Sequence, residues 1–360
     1  MKRRESSGSR HTTTESSAIS TCTVFWIMNG EVNQKLKETV ENVLGKNCKW
    51  IELEKGLNTI YKLSTEKNDF MLKIRTNPKN KLEWFKAEPR IYDIINEETN
   101  IPSPNIVHTE LSQEKHGEPF YIMECLPGET PENLVEHLTE QDLMSILRQY
   151  GRILSKIHNV QVSDEFGIQG FSEGSFSSSE PNQTWSRSLE GAMSSWKDII
   201  QDEWDNHPDL DYDPDSIKEA VPDHPEPVLV HDDNRLDNIL VRGDEISGFI
   251  DWSTSWTGHR YYDLVRAKYL LIEWDLEGIN LDVDEERLET ALVKGYMENQ
   301  ALKLKNQRTL DSIYRFASTL WLAAGFVNWG QNLDPDVRQH IRQNIADRVN
   351  DERNKMQRLI

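Results

Sequence analysis

The chain changes character at Leu126-Pro127-Gly128. Proline fixes φ and removes a donor, and glycine frees the backbone, so this tripeptide interrupts any regular element. Before it, apolar residues come in short runs: Trp50-Ile-Glu-Leu-Glu-Lys-Gly56, Thr59-Ile-Tyr-Lys-Leu-Ser64, Phe70-Met-Leu-Lys-Ile74, and residues 106–111 and 119–124. These are strand lengths bounded by turn residues. One helical stretch, 82–96, falls among them, and Leu36, Val40, Val43 and Leu44 mark another just upstream, stopped by Gly45. After the break, Leu143, Ile146, Leu147, Tyr150, Ile153, Leu154 and Ile157 recur at three and four residues, the helical period. Further helices are expected over 185–204 and across 261–358, with a return to strands over 228–251 around a Gly243-Asp244 turn. Residues 163–182, rich in Ser, Gly, Glu and Phe, read as a mobile loop, and 205–227, rich in Asp and Pro, as an exposed connection. There is no internal repeat. The pattern predicts an α+β chain: a small, mostly antiparallel sheet with one helix, then a larger, mainly helical part.

Composition narrows the function. The formal net charge of −20 argues against general DNA or RNA binding, which depends on Lys and Arg neutralising phosphates, and against docking on anionic membranes. No run approaches the ~20 apolar residues of a membrane helix. Cys22, Cys48 and Cys125 stand far apart and form neither a disulfide framework nor a zinc site, which points to a reducing, cytoplasmic setting. Residues 1–28, Ser/Thr-rich, are expected to be a disordered tail. That leaves an N-terminal lobe over 29–125 and a C-terminal lobe over 126–360.

The densest chemical signal is His231-Asp-Asp233-Asn-Arg-Leu-Asp-Asn238-Ile-Leu-Val241, followed by Ile250-Asp251-Trp252. A carboxylate, an amide five residues on, and a second carboxylate beyond a hairpin are what phosphoryl transfer requires. Asp233 would orient an attacking hydroxyl and accept its proton. Asn238 and Asp251 would hold Mg2+ against ATP phosphates.

With these residues the chain resembles the aminoglycoside phosphotransferase / choline kinase-like family. That family has a His-Gly-Asp-x4-Asn loop, an Ile-Asp-Trp metal motif and a downstream Gly-Asp-Pro-x-x-Asp-Leu. Here the corresponding segments are His231-Asp232-Asp233 with Asn238, Ile250-Asp251-Trp252, and Gly258-His-Arg-Tyr-Tyr-Asp263-Leu264. The resemblance implies a two-lobed, protein-kinase-like α+β fold, with ATP and Mg2+ as cofactors and a small-molecule hydroxyl as acceptor.

It also implies a nucleotide-binding role for the first lobe. Lys73, in the apolar strand Met71-Leu-Lys73-Ile74, resembles the lysine that contacts the α/β-phosphates. Gly56 and Asn58, between two strands, resemble the short nucleotide loop. Glu124 and Cys125 resemble the hinge whose backbone meets adenine. Glu88 is the expected partner of Lys73, with Glu83 as the alternative. Pro89 after Glu88 requires either that the helix start nearby or that it kink. His158 and His231 read as structural, Asp263 as an anchor of the catalytic loop, and the tryptophans as core and lid packing.

Two departures stand out. Asp232 replaces the usual Gly beside the catalytic Asp, and His259-Arg260 replaces Asp-Pro. The resemblance covers roughly 46–330 and thins across 163–226 and after 275. Asp232 motivates a rival reading, a nucleotide-binding regulator without transfer activity. A protein kinase is disfavoured, because there is no G-x-G-x-x-G loop, no D-F-G and no A-P-E.

Overall fold

The computed structural model describes residues 34–45, 48–55, 58–112, 117–134, 137–178, 184–276, 283–302 and 304–360. The expected tail, 1–28, lies outside them. The short runs of the first part form one antiparallel sheet: β1 (Lys49–Lys55), β2 (Thr59–Ser64), β3 (Asp69–Ile74), β4 (Ile106–Glu110) and β5 (Phe120–Glu124), in the order β1-β2-β3-β5-β4. Successive strand residues face opposite sides. Leu72 and Ile74 therefore join Leu63, Phe120 and Ile122 under helix α1 (Gln34–Leu44), which contributes Leu36 and Val40. The alternate residues of the same strands, Met71, Tyr121 and Met123, pack with Phe85, Ile91, Tyr92 and Ile95 of helix α2 (Leu82–Glu98). Lys73 shares that second face. The strand period thus commits a cation to an apolar layer, where it must find a partner.

Helix α2 begins well before Pro89, which sits inside it. The proline leaves the Phe85 carbonyl without its i+4 donor, a local cost within a helix that nonetheless runs on to Glu98.

Beyond the break come α3 (Pro131–Leu134) and α4 (Glu140–Ile157). The latter opens on a reciprocal cap in which Thr139 Oγ1 accepts from the Asp142 amide and Asp142 from the Thr139 amide. The segment expected to be a mobile loop contains a hairpin instead, β6 (Gly167–Ser172) and β7 (Ser175–Ser178). Its turn residues, Glu173 and Gly174, both have positive φ, 52° and 85°. That backbone suits the right-handed twist of paired strands. Phe171 stands opposite Phe176, ring centroids 5.1 Å apart, and this cross-strand pair gives the hairpin its own packing.

Helix α5 (Trp185–Glu203) follows. Within the stretch expected as a connection, Asp213 caps the short helix α6 (Pro214–Ala220). The return to strands gives β8 (Val228–Val230), the hairpin β9 (Ile239–Arg242) and β10 (Glu245–Phe249), and β11 (Trp256–Gly258). β11 bridges β6 and β8 in a four-stranded sheet ordered β7-β6-β11-β8. Helix α7 (Arg260–Lys268) runs into a wider π-helical turn, Tyr269–Trp274. Then come α8 (Glu285–Met297), α9 (Gln307–Trp329) and α10 (Pro335–Gln357). Helices α4 and α8 meet at Gly151 and Gly295, where a Cβ on either would run into the other helix's backbone. Among the described residues no helix is long and apolar enough to cross a membrane.

Candidate active site

The loop between β8 and β9 is built around one buried carboxylate. Asp263, in the first turn of α7, accepts from the His231 amide (3.0 Å) and the Asp232 amide (3.2 Å). It also accepts from Asn234 Nδ2 (2.5 Å) and His158 Nε2 (3.1 Å). Burial alone would raise its pKa, but His158 and Asn234 reverse this and hold it below the ordinary value. Burial lowers His158, which is therefore neutral. Its one N–H goes to Asp263, and its Nδ1 accepts from Tyr296 Oη at 2.7 Å. His231 Nε2 donates to the Ile250 carbonyl (3.0 Å), and the Ile250 amide donates to the Asn238 carbonyl (3.0 Å). The loop is thereby stitched to the segment carrying Asp251. Asp263 does anchor the loop, and both histidines brace it.

Within this frame Asp233 is the carboxylate left open. Its Oδ1 is buried and has no hydrogen-bond partner. Burial, reinforced by Asp237 and Asp251, pushes its carboxyl well above the usual range. Asn238 directs its Nδ2 to the Asp233 carbonyl (2.8 Å), which leaves its side-chain oxygen as the atom available to a cation.

Asp251 has a left-handed backbone, φ 61°, and its amide donates to Tyr92 Oη at 2.9 Å. Its Oδ1 lies 3.2 Å from both Lys73 Nζ and the Ser253 amide. Burial opposes ionisation, but Lys73 and Ser253 win and set its pKa at about 2. Lys73, 3% exposed, also reaches Glu88, 0% exposed, at 2.9 Å. Burial pulls the lysine's pKa down, and Asp251 with Glu88 more than restores it, so it remains a cation. The partner of Lys73 is Glu88 and not Glu83, whose side chain is exposed. Lys73, Glu88 and Asp251 are thus brought into direct contact, and backbone bonds tie Asn238 to the loop of Asp233 and to Ile250 beside Asp251.

The other expected nucleotide contacts fare differently. Gly56 lies outside the described residues. Asn58 is buried and accepts from Asn80 Nδ2 at 2.9 Å, so its side chain braces the turn after β3. At the hinge, the Glu124 amide donates to the Asn105 carbonyl (3.0 Å) and the Cys125 amide to Asp69 (3.2 Å). Neither N–H is free for a base, and the Glu124 side chain is held by Asn105 Nδ2 at 2.7 Å.

Asp232 occupies the family's Gly position with φ 70°. Asp is one of the few side chains that tolerate this region. Its carboxylate turns into the core, where Tyr262 Oη donates to Oδ1 (2.8 Å) and the Arg266 Nε stands 3.2 Å from the same oxygen. Sequence reasoning missed Tyr92, Arg266 and Asp275. Asp275 accepts from the Leu236 amide (2.7 Å) and pairs with Arg235 (3.0 Å) from the far end of the π-helical turn. The tryptophans are mostly core: Trp185, Trp204, Trp252 and Trp256 are buried, while Trp196 and Trp321 are partly so.

An antiparallel sheet carrying a buried Lys–Glu pair, set over a mainly helical part with a D-x4-N loop, defines a kinase-like two-lobed α+β protein. The chain belongs to the phosphotransferase enzyme family, whose model matches residues 50–294. No curated protein matches it. Solved structures share the fold. A candidate fructosamine-3-kinase of Haemophilus somnus 129PT is 14% identical, over 88% of this chain and 96% of that one, with a TM-score of 0.60. A candidate aminoglycoside phosphotransferase of Ralstonia eutropha JMP134 is 14% identical, over 90% and 98%, with a TM-score of 0.62. A thermostable variant of aminoglycoside phosphotransferase APH(4)-Ia, in ternary complex with AMP-PNP and hygromycin B, is 14% identical over 89% and 98%, with a TM-score of 0.57.

Proposed function

We propose that this phosphotransferase is an ATP- and Mg2+-dependent kinase of a hydroxyl group on a small molecule, with a nucleotide lobe over 29–125, a catalytic and acceptor lobe over 126–360, and a cytoplasmic location. The observation that carries the reading is the opposite state of two neighbouring aspartates. Asp251 is held ionised by Lys73, and Asp233 keeps a buried, unpartnered oxygen with raised proton affinity. Environments that push two carboxyls apart in this way assign them different tasks.

The donor set suits Mg2+: an ionised carboxylate from Asp251 and an amide oxygen from Asn238 are hard oxygen ligands. Among the described residues no group of three or more His, Cys, Asp or Glu is placed to hold a metal alone, so phosphate oxygens would complete the coordination. Bound there, Mg2+ would neutralise charge on the β- and γ-phosphates. Lys73, kept cationic and oriented by Glu88, supplies positive charge to the same phosphates. Asp233 accepts a hydrogen bond from the acceptor hydroxyl, aims its oxygen at the γ-phosphorus, and takes its proton as the new P–O bond forms and the γ-phosphorus bond to the β-phosphate oxygen breaks, ADP leaving with that electron pair. The carboxylate of Asp232 points away from this centre and is compensated by Arg266. It therefore does not repel phosphate, which favours an enzyme over a regulator.

The family's aminoglycoside substrates are one class of acceptor this acidic chain would suit; amino alcohols and sugars are others. The test is a panel of such compounds with Mg·ATP, read as ADP formation and as phosphorylated product. Transfer to at least one compound, abolished by EDTA, is expected. Binding of Mg·ATP without transfer to any compound or to water would overturn the reading in favour of the regulator.

A further inference from the structure

We infer that Arg266 is a positioning residue for the catalytic loop and that Asp232 is the residue through which it acts. This rests on the assignment of Asp233 above. Two residues of one helical turn hold the backbone of residue 232 from both sides. Asp263 accepts its N–H at 3.2 Å, and Arg266, three residues further along α7, donates Nε–H to its carbonyl. That carbonyl belongs to the peptide unit leading into Asp233. Fixing both polar groups of a residue with φ 70° fixes the plane from which the Asp233 side chain departs.

Arg266 is itself held. It is 0% exposed, its Nη1 donates to Tyr262 Oη (2.9 Å), and its guanidinium lies 4.2 Å from the Trp321 ring centroid. A guanidinium in such a place needs a counter-charge, and only a planar fork can serve a carbonyl and a carboxylate together. The Asp232 carboxylate, at 3.2 Å and 3.4 Å, supplies it. Asp at 232 and Arg at 266 therefore require each other: the carboxylate balances the arginine's charge in the core, and the arginine holds the carbonyl. A glycine at 232 adopts the same φ without help but offers no counter-charge.

The test uses the full chain and slow ADP release from Mg·ATP with water as acceptor, comparing kcat with KM for ATP. Arg266→Gln is expected to lower kcat roughly 10- to 100-fold with KM within about twofold, and the same change in an Asp232→Gly background to cost less than about threefold; a gap of this size is the coupling expected of directly interacting residues. Arg266→Lys retains the charge but not the fork, and should lose kcat by about tenfold. Equal losses in the two backgrounds would overturn the inference. So would a wild-type kcat for Arg266→Lys if Arg266→Gln fails to fold, since the pair would then serve folding alone. Asp233→Asn, run alongside, separates the two levels: if it leaves ADP release intact, or if the parent chain releases none, the fault lies in the assignment of Asp233 and not in the pair.

Discussion

The Asp251 side and the Asp233 side of the site, the proposed nucleotide and acceptor sides, treat the same kind of side chain in opposite ways. Around Asp251 the sheet and α2 assemble a closed cluster. Lys73 arrives from the middle of a strand, Glu88 backs it, Tyr92 takes the aspartate's amide, and the carboxyl titrates at about 2. Around Asp233 the loop satisfies its own backbone and leaves the carboxylate without a direct cation. Asp263 holds the preceding amides, Asn238 holds the carbonyl, and Oδ1 is buried without a partner. One carboxylate is fixed in its ionised form; the other retains appetite for a proton. Partners decide which: Asp251 is paired directly with Lys73, whereas the pull of Arg235 on Asp233 is opposed by Asp237 and Asp251.

Breaking this contrast at Asp233 should have the largest effect. Asp233→Asn keeps the shape and removes the proton acceptor, so phosphoryl transfer should fall by ~10²–10⁴. Calorimetry should find Mg·ATP affinity almost unchanged, and a matching loss of affinity would show that Asp233 belongs to the nucleotide side. Next comes the closed cluster itself. Lys73→Ala leaves Glu88 buried without its cation and should cost about 3–5 kcal/mol of stability, measured by urea unfolding. Adding Glu88→Gln should return part of that loss, and strictly additive effects would mean the two do not act as a pair. Asp251→Ala should weaken the Mg2+-dependent part of ATP binding by at least about tenfold, or ~1.4 kcal/mol. ATP binding in EDTA should change little.

The smallest effect is also the sharpest, because its sign differs between the two sites. An unfolded Asp titrates near ~3.9. Asp251, lower in the folded chain, contributes stability that is complete above ~3.9 and is lost as pH falls through about 2. Asp233, raised in the folded chain, costs nothing at low pH, and its cost grows as pH climbs from ~3.9 to its folded value. Without nucleotide, Asp233→Asn should therefore melt higher than the parent at pH 8, by on the order of 1 kcal/mol, with the gap closing toward pH 4. Asp251→Asn should melt lower. Shifts of the same sign would erase the distinction.

The sequence made one half of this contrast legible. Asp233, Asn238 and Asp251 announce themselves because loop chemistry is written in spacing, and Lys73 because a lysine amid Met71, Leu72 and Ile74 needs a reason. The strands and helices were readable from their periods. Glu88 was visible but shadowed by Pro89, since local rules cannot say whether packing will carry a helix through a proline. Tyr92 on Asp251 and Arg266 on Asp232 left no local trace, because each contact joins distant segments and depends on tertiary register. The hairpin over 167–178 was missed because its Ser and Gly content mimics a loop, although Phe171 and Phe176 flanking Glu173-Gly174 were the available clue. At Asn58 and the hinge the hydrogen bonds that occupy the side chain and the amides could not be read, because their partners Asn80, Asn105 and Asp69 lie far along the chain.

The π-helical turn at Tyr269–Trp274 amounts to one residue more than an α-helix would need there, and its mark is the Asp275 amide bonding to the Leu270 carbonyl at 2.9 Å. Each α-helical residue advances the chain by about 100° around the axis, so that surplus sets the angle at which Asp275 leaves the helix. Its carboxylate meets the Leu236 amide and Arg235, directly between Asp233 and Asn238 in the chain. The spacing between Asp233 and Asn238 is thus gauged by a counting irregularity more than thirty residues away. Removing a single residue from 269–274 would straighten the helix, swing Asp275 out of reach, and leave the catalytic loop without its lower support while every residue of the phosphotransferase motif remained in place.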